Sequence, residues 1–140
     1  MTNALMDYFN RSPRIGTLST AGADGQVDAA VMGSARMIDE TTVIMALGPN
    51  RSLSNLQQNP HAVYMIVEPG ASIGDWKGVR VYLVVRGIEE SGPALDEYRR
   101  QVARVIGEEG AAMLRALVRC EITEVRTLVD MGRPWAPLTT

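Results

Sequence analysis

The chain has 140 residues, 46% of them hydrophobic and 21% charged, with a net charge of −2 and a pI of about 5.4. That is enough apolar side chain for one compact domain, and the acidic balance excludes the broad basic surface of a nucleic-acid binder. The single cysteine, Cys120, excludes an internal disulfide and a cysteine-rich metal site.

In chain order, Leu5, Met6 and Phe9 stand at helical spacing, and Ser12-Pro13 ends that helix. Arg14 to Thr20 reads as a strand, and Asp24-Gly25 is a hairpin turn. Gln26 to Ile38 forms a long second strand, and Thr42 to Leu47 a third, so the first three strands are expected to be consecutive antiparallel neighbours. Gly33 interrupts the second strand, which in a sheet marks either a bulge or a close approach to the backbone. Gly48-Pro49 stops the third strand, and a short helix follows with Leu53 and Leu56 three apart. His61 to Val67 is a fourth strand, Glu68 to Gly78 a loop, and Val79 to Glu89 a fifth strand. In that strand Arg80, Tyr82, Val84 and Arg86 face opposite to Val81, Leu83 and Val85.

A helix starts near Pro93 with Leu95, Tyr98, Val102, Val105 and Ile106 on one face, and Gly107 or Gly110 ends it. Leu114 to Val129 is a long, bent last strand, and a Pro-rich tail closes the chain over 130–140. About six strands with short flanking helices describe a mainly antiparallel α+β domain, a small barrel or strongly curved sheet, occupying the whole of residues 1–140. No apolar run reaches the length of a membrane span, and Met1 to Met6 has no signal-peptide pattern, so a soluble, cytoplasmic protein is expected.

The usual catalytic constellations are missing from the sequence. The one histidine, His61, opens a strand with no nucleophile motif to serve, and an ordinary strand-end role suits it better than catalysis. The pairs Glu89-Glu90 and Glu108-Glu109 read as solvated surface, not as metal ligands. Cys120, in an apolar strand, reads as a buried small hydrophobe. Redox chemistry here would need a bound cofactor. The stretch Leu47 to Pro60 points most directly to a ligand. Its helix start supplies free backbone N–H groups, the Arg51 guanidinium and the Ser52 hydroxyl, equipment for holding a phosphate or another small anion. A surface ion pair is the plain alternative for Arg51. Arg80 and Arg86 are further cations for a local anion site.

Several local sequences together resemble the pyridoxamine 5′-phosphate oxidase-like group, the FMN-binding split β-barrel proteins. They are Ile15-Gly16-Thr17-Leu18-Ser19-Thr20, Ala23 to Ala30, the Arg51-Ser52-x-x-Asn55-Leu56-x-x-Asn59-Pro60 segment, and Val79 to Gly87. The resemblance spans roughly residues 5 to 130, and the Arg51–Pro60 segment is its most specific part. It implies a split β-barrel binding FMN, with Arg51 and Ser52 at the flavin phosphate and Asn50 and Asn55 in the same motif. Some members carry Lys where this chain has Ser52, which removes one positive charge.

By the same resemblance Val31, Met32, Gly33 and Ser34 run beside the isoalloxazine ring, their amides and carbonyls meeting its polar edge. Ala46 and Leu47 lie between ring and phosphate. A homodimer is implied, with Trp76 either covering a flavin of the partner or simply packing, and Trp135 a weaker candidate. Met6, Met65, Met113 and Met131 either line the interface or fill the core. Oxidases acting on vitamin B6 are longer and end in a basic motif that Gly132 to Thr140 lacks. The expected function is therefore an FMN-dependent oxidoreductase or electron carrier whose redox partner is unknown. The alternatives are a deazaflavin-binding or haem-degrading relative, or a protein that stores flavin or senses a ligand.

Overall fold

In a computed structural model of the chain, residues 4–129 and 132 are described. Trp135, Met131 and most of the Pro-rich tail lie outside the described residues. The described elements are α1 (Ala4–Phe9), β1 (Ile15–Ala21), β2 (Val27–Val31), β3 (Arg36–Met37), β4 (Thr42–Leu47), α2 (Arg51–Gln58), β5 (His61–Glu68), a 3-10 turn (Ile73–Asp75), β6 (Lys77–Glu89), α3 (Pro93–Ala112) and β7 (Ala116–Thr127). The strands form one antiparallel sheet in the order β2-β1-β5-β6-β7-β4-β3.

The long strand expected over Gln26–Ile38 is two strands, giving seven where about six were expected. Its halves serve opposite edges of the sheet: β2 pairs with β1, and β3 with β4. Only residues 32–35 join them, a link that spans at most about 18 Å from Val31 to Arg36. The two sheet edges must therefore curl toward each other. The sheet closes through the chain and not through ladder hydrogen bonds, which makes it a split barrel.

Period-2 alternation fills the barrel. Leu18 on β1, Val43 and Met45 on β4, Tyr64 and Ile66 on β5, and Val79, Val81 and Leu83 on β6 are buried in one cluster. Leu53 and Leu56 of α2 join that cluster, and Asn55 anchors the helix by donating to the buried Thr20 hydroxyl at 3.0 Å. The outer side of β4 is covered too, because Ala46 packs with Leu95, Tyr98 and Leu117 beneath α3. The bend of the last strand comes from two register shifts against β6, at Tyr82/Leu83 and Val85/Gly87. It begins at Ala116 and not Leu114, since Arg99 draws the Leu114 carbonyl toward α3.

Helix α3 departs from expectation at its far end. Leu95 and Tyr98 are buried, but Val105 and Ile106 are 85% and 56% exposed, because the stripe runs past the sheet and over an open cavity. Gly107 sits at φ 86°, ψ 167° and breaks the helical path, a conformation that glycine tolerates and side chains do not.

Candidate functional site

The split of the barrel opens into a cavity of about 740 Å³, within the size range of small-molecule sites. Its walls come from four parts of the chain: the 32–35 link, the end of β4 through Gly48 and Asn50, the α3 residues Tyr98 to Ile106, and the segment from Asn10 to Arg14. Seven of the eleven residues expected from the sequence line it together: Val31, Met32, Gly33, Ser34, Ala46, Leu47 and Asn50.

The link is held by side chains. Tyr64 donates to the Met32 carbonyl at 2.7 Å, Arg14 to the Gly33 carbonyl at 3.3 Å and also to that of Ala35, and Tyr98 to that of Ser34. The Ser34 hydroxyl donates to the Ala46 carbonyl at 2.8 Å and accepts from the Ala46 N–H at 3.2 Å, so it fastens the link to β4. At the other side the Met32 N–H donates to the Gly16 carbonyl at 2.8 Å. Each carbonyl of the link, from Met32 to Ala35, thus accepts a hydrogen bond within the protein. Burial raises the pKa of the Tyr64 and Tyr98 phenols, which keeps both as donors at neutral pH. A Cβ built on Gly33 would meet nothing within 4 Å, so the wall is bare where this residue lines the cavity.

The cavity's far end reaches Asn50, whose side chain caps α2 by accepting from the Leu53 N–H at 2.9 Å. Arg51 follows at the first helical position, exposed, and neither its guanidinium nor the N–H groups of Arg51 and Ser52 have a partner among the described residues. Ser52 and Asn55 are buried on the core side of α2, and neither lines the cavity. Trp76 follows the 3-10 turn, 40% exposed and away from the cavity lining.

Of the further cations weighed, Arg86 is paired with Glu121 at 2.6 Å and Arg80 donates to the Thr127 carbonyl, and neither lines the cavity. The guanidinium groups that do are Arg14 and Arg36. Sequence reasoning missed both, along with the functions of Tyr64 and Tyr98. Arg36 had a signal, as a lone cation after the uncharged run Ala29 to Ala35. Arg14 had none, since its role depends on the Gly33 and Ala35 carbonyls, 19 and 21 positions away.

His61 is exposed at the start of β5 and lines a separate hollow of about 320 Å³ with Ser19, Val63 and Tyr82. Cys120 is buried on β7, with its thiol pushed up to about 12 by burial. Met65 and Met6 are half-buried and Met113 is exposed, while Met32, Met37 and Met45 fill the core.

A family model for pyridoxamine 5′-phosphate oxidase matches residues 2–129. The chain belongs to that family. Solved structures agree on the fold. An FMN-binding protein from Syntrophomonas wolfei subsp. wolfei is 20% identical, with a TM-score of 0.78 over 90% of this chain and 84% of that one. HutZ, the haem storage protein of Vibrio cholerae, is 15% identical, with a TM-score of 0.66 over 88% and 92%. An F420 reductase is 16% identical, with a TM-score of 0.63 over 86% and 94%. No curated protein matches the sequence. The family's split-barrel fold is thus shared by proteins whose names carry FMN, F420 and haem. Among the described residues no helix is long and apolar enough to cross a membrane.

Proposed function

We propose that this family member binds FMN in the cavity at the barrel split and acts as a flavin-dependent oxidoreductase or electron carrier. The observation that carries the reading is continuity. One cavity runs from a polar main-chain wall at residues 32–35 to Asn50, the N-cap of α2, and next in the chain stand Arg51 and two N–H groups without a partner among the described residues. A flat ring with a polar edge, tethered to a dianionic phosphate, has this shape of demand. Apolar side chains of Val102, Val105, Ile106 and Leu114 supply a wall for the ring's hydrocarbon part.

When bound, the flavin supplies the electron or hydride transfer. The chain's own groups position it: Arg51 and the first-turn amides of α2 hold the phosphate, and the link fixes the ring. Ser52 contributes its main-chain N–H, its side chain being buried. Asn55 acts through its anchor on Thr20. Among the described residues the cavity lining holds no His, Cys, Lys, Asp or Glu, which suits chemistry carried by the cofactor.

We also propose a homodimer. Val31 at the cavity lip is 78% exposed, Val27 on the same strand 76%, and Ile15 on the adjacent strand 52%, a grouping that a second copy would cover while closing the cavity's open side. In that assembly Trp76 is available to the partner's site.

A deazaflavin cofactor is the second reading, favoured by the likeness to an F420 reductase and by the same polar ring edge. Haem fits less well, because the sole histidine lies outside the cavity. Titrating purified protein with FMN while recording absorbance tests the binding, and anaerobic addition of NADH or NADPH separates a reductase from a store. Sedimentation tests the dimer: a monomer at micromolar concentration in the presence of FMN overturns it.

A further inference from the structure

We infer that Arg14 and Arg36 are the counter-charge for the reduced flavin. Two guanidinium groups, matched by no carboxylate, set the cavity to hold the anionic ring more tightly than the neutral one. This rests on the flavin-binding reading above and adds to it the residues that set the redox balance of the bound ring.

Among the described residues the cavity lining holds two arginines and no acidic side chain, in a chain whose net charge is −2. The positive charge is therefore local to the cavity and runs against the balance of the whole protein. Arg14 is half-buried, with its guanidinium over the rings of Phe9 (5.2 Å) and Tyr64 (5.5 Å). It donates to the carbonyls of Phe9, Gly33 and Ala35, all of them neutral acceptors. Arg36 opens β3, is exposed, and its guanidinium has no partner among the described residues. Burial raises the pKa of the Tyr98 phenol, while the charges of Arg36 and Arg14 oppose that rise and no carboxylate acts on the group. Both charges thus reach the same wall of the cavity, where Tyr98 bonds the link.

A cation drawn out of water without a counter-ion costs stability. Carbonyl dipoles and aromatic faces offset part of that cost for Arg14, but they leave its net charge in place. The FMN phosphate does not neutralise this end, since it is held by Arg51 at the start of α2. The ring is the part of the ligand whose charge changes. Transfer of one hydride, two electrons and one proton, from a nicotinamide donor leaves the ring with one negative charge and the nicotinamide with one positive charge. Arg14 and Arg36 attract that anion and have little effect on the neutral oxidised ring. They act through their field and move no proton.

Midpoint potentials of the FMN-loaded protein at low ionic strength, with separate Kd values for oxidised and reduced FMN, test this. Arg36→Gln removes an exposed charge with no described partner to lose, so the fold is kept. It should lower the potential by about 15–30 mV, roughly a threefold to tenfold loss of preference for the reduced form. Arg14→Gln should move the potential in the same direction, and Arg14→Lys, which keeps the charge, should move it less. Arg51→Ala should weaken both forms alike and leave the potential in place, because the phosphate charge is the same in each. If Arg14→Gln does not fold, Arg36→Gln decides alone. Bound FMN whose potential is unchanged in Arg36→Gln overturns the counter-charge and leaves the flavin reading standing. Wild type that binds FMN in neither form overturns both.

Discussion

The hydroxyl of Tyr64 occupies the place where a side chain at residue 16 would begin: a Cβ built on Gly16 would lie 2.0 Å from it. Glycine is required there because the hydroxyl must pass to reach the Met32 carbonyl, while the Gly16 carbonyl accepts from the Met32 N–H. Gly16, Tyr64 and Met32 thus knot β1, β5 and the link together at the split.

Two glycine substitutions should accordingly behave in opposite ways. Gly16→Ala forces a fully buried ring to move and is expected to cost about 1–3 kcal/mol of stability, read from urea unfolding. Gly33→Ala meets no protein atom and should leave stability within about 0.5 kcal/mol, yet weaken FMN by crowding the ring. Equal stability losses in the two variants would contradict this assignment.

Arg51→Ala should weaken FMN about tenfold to a hundredfold through loss of one charge-assisted contact to the phosphate. Its melting temperature should hold, since Arg51 has no partner to lose among the described residues. Riboflavin, which has no phosphate, should bind wild type and variant alike. A variant with undiminished FMN affinity would remove Arg51 from the site.

Alkaline pH should destabilise the fold. Burial raises the phenol pKa of Tyr8, Tyr64 and Tyr98 above the ordinary 10.0, so the folded state holds these protons more tightly than the unfolded chain. Their contribution is complete below about pH 10 and is lost as pH rises through the folded values. Melting temperatures between pH 7 and 11 should fall steeply only above 10. Free ionisation of these tyrosines near pH 10 with unchanged stability would be inconsistent with their burial.

Much of this was legible in the sequence because it depends on short-range pattern. The alternation of Val79, Val81 and Leu83, the Gly-Pro stop at Gly48-Pro49 and the Arg51–Pro60 motif each follow from neighbours a few residues apart. What escaped depends on closure. Residues 26–38 read as one strand with an interruption at Gly33, and the need to serve both edges of one curled sheet divides them there. The clamp on the link was likewise hidden, as it joins Arg14, Tyr64 and Tyr98 to carbonyls 19 to 64 positions away. Tyr98 carried the spacing of a core residue and is one, but its hydroxyl serves the cavity wall as well.

Cys120 should be inert in the native protein. Its thiol is buried and pushed up to about 12, leaving almost no thiolate at pH 8. A chromogenic disulfide reagent should react only after denaturant is added. Stoichiometric labelling of the folded chain would show that β7 opens.

The most direct measurement is the visible absorbance of the purified protein during titration with FMN, with Arg51→Ala run in parallel. Saturable perturbation of the flavin bands, weakened at least tenfold in the variant, is the expected result. Bands identical to those of free FMN at every protein concentration would contradict the central claim.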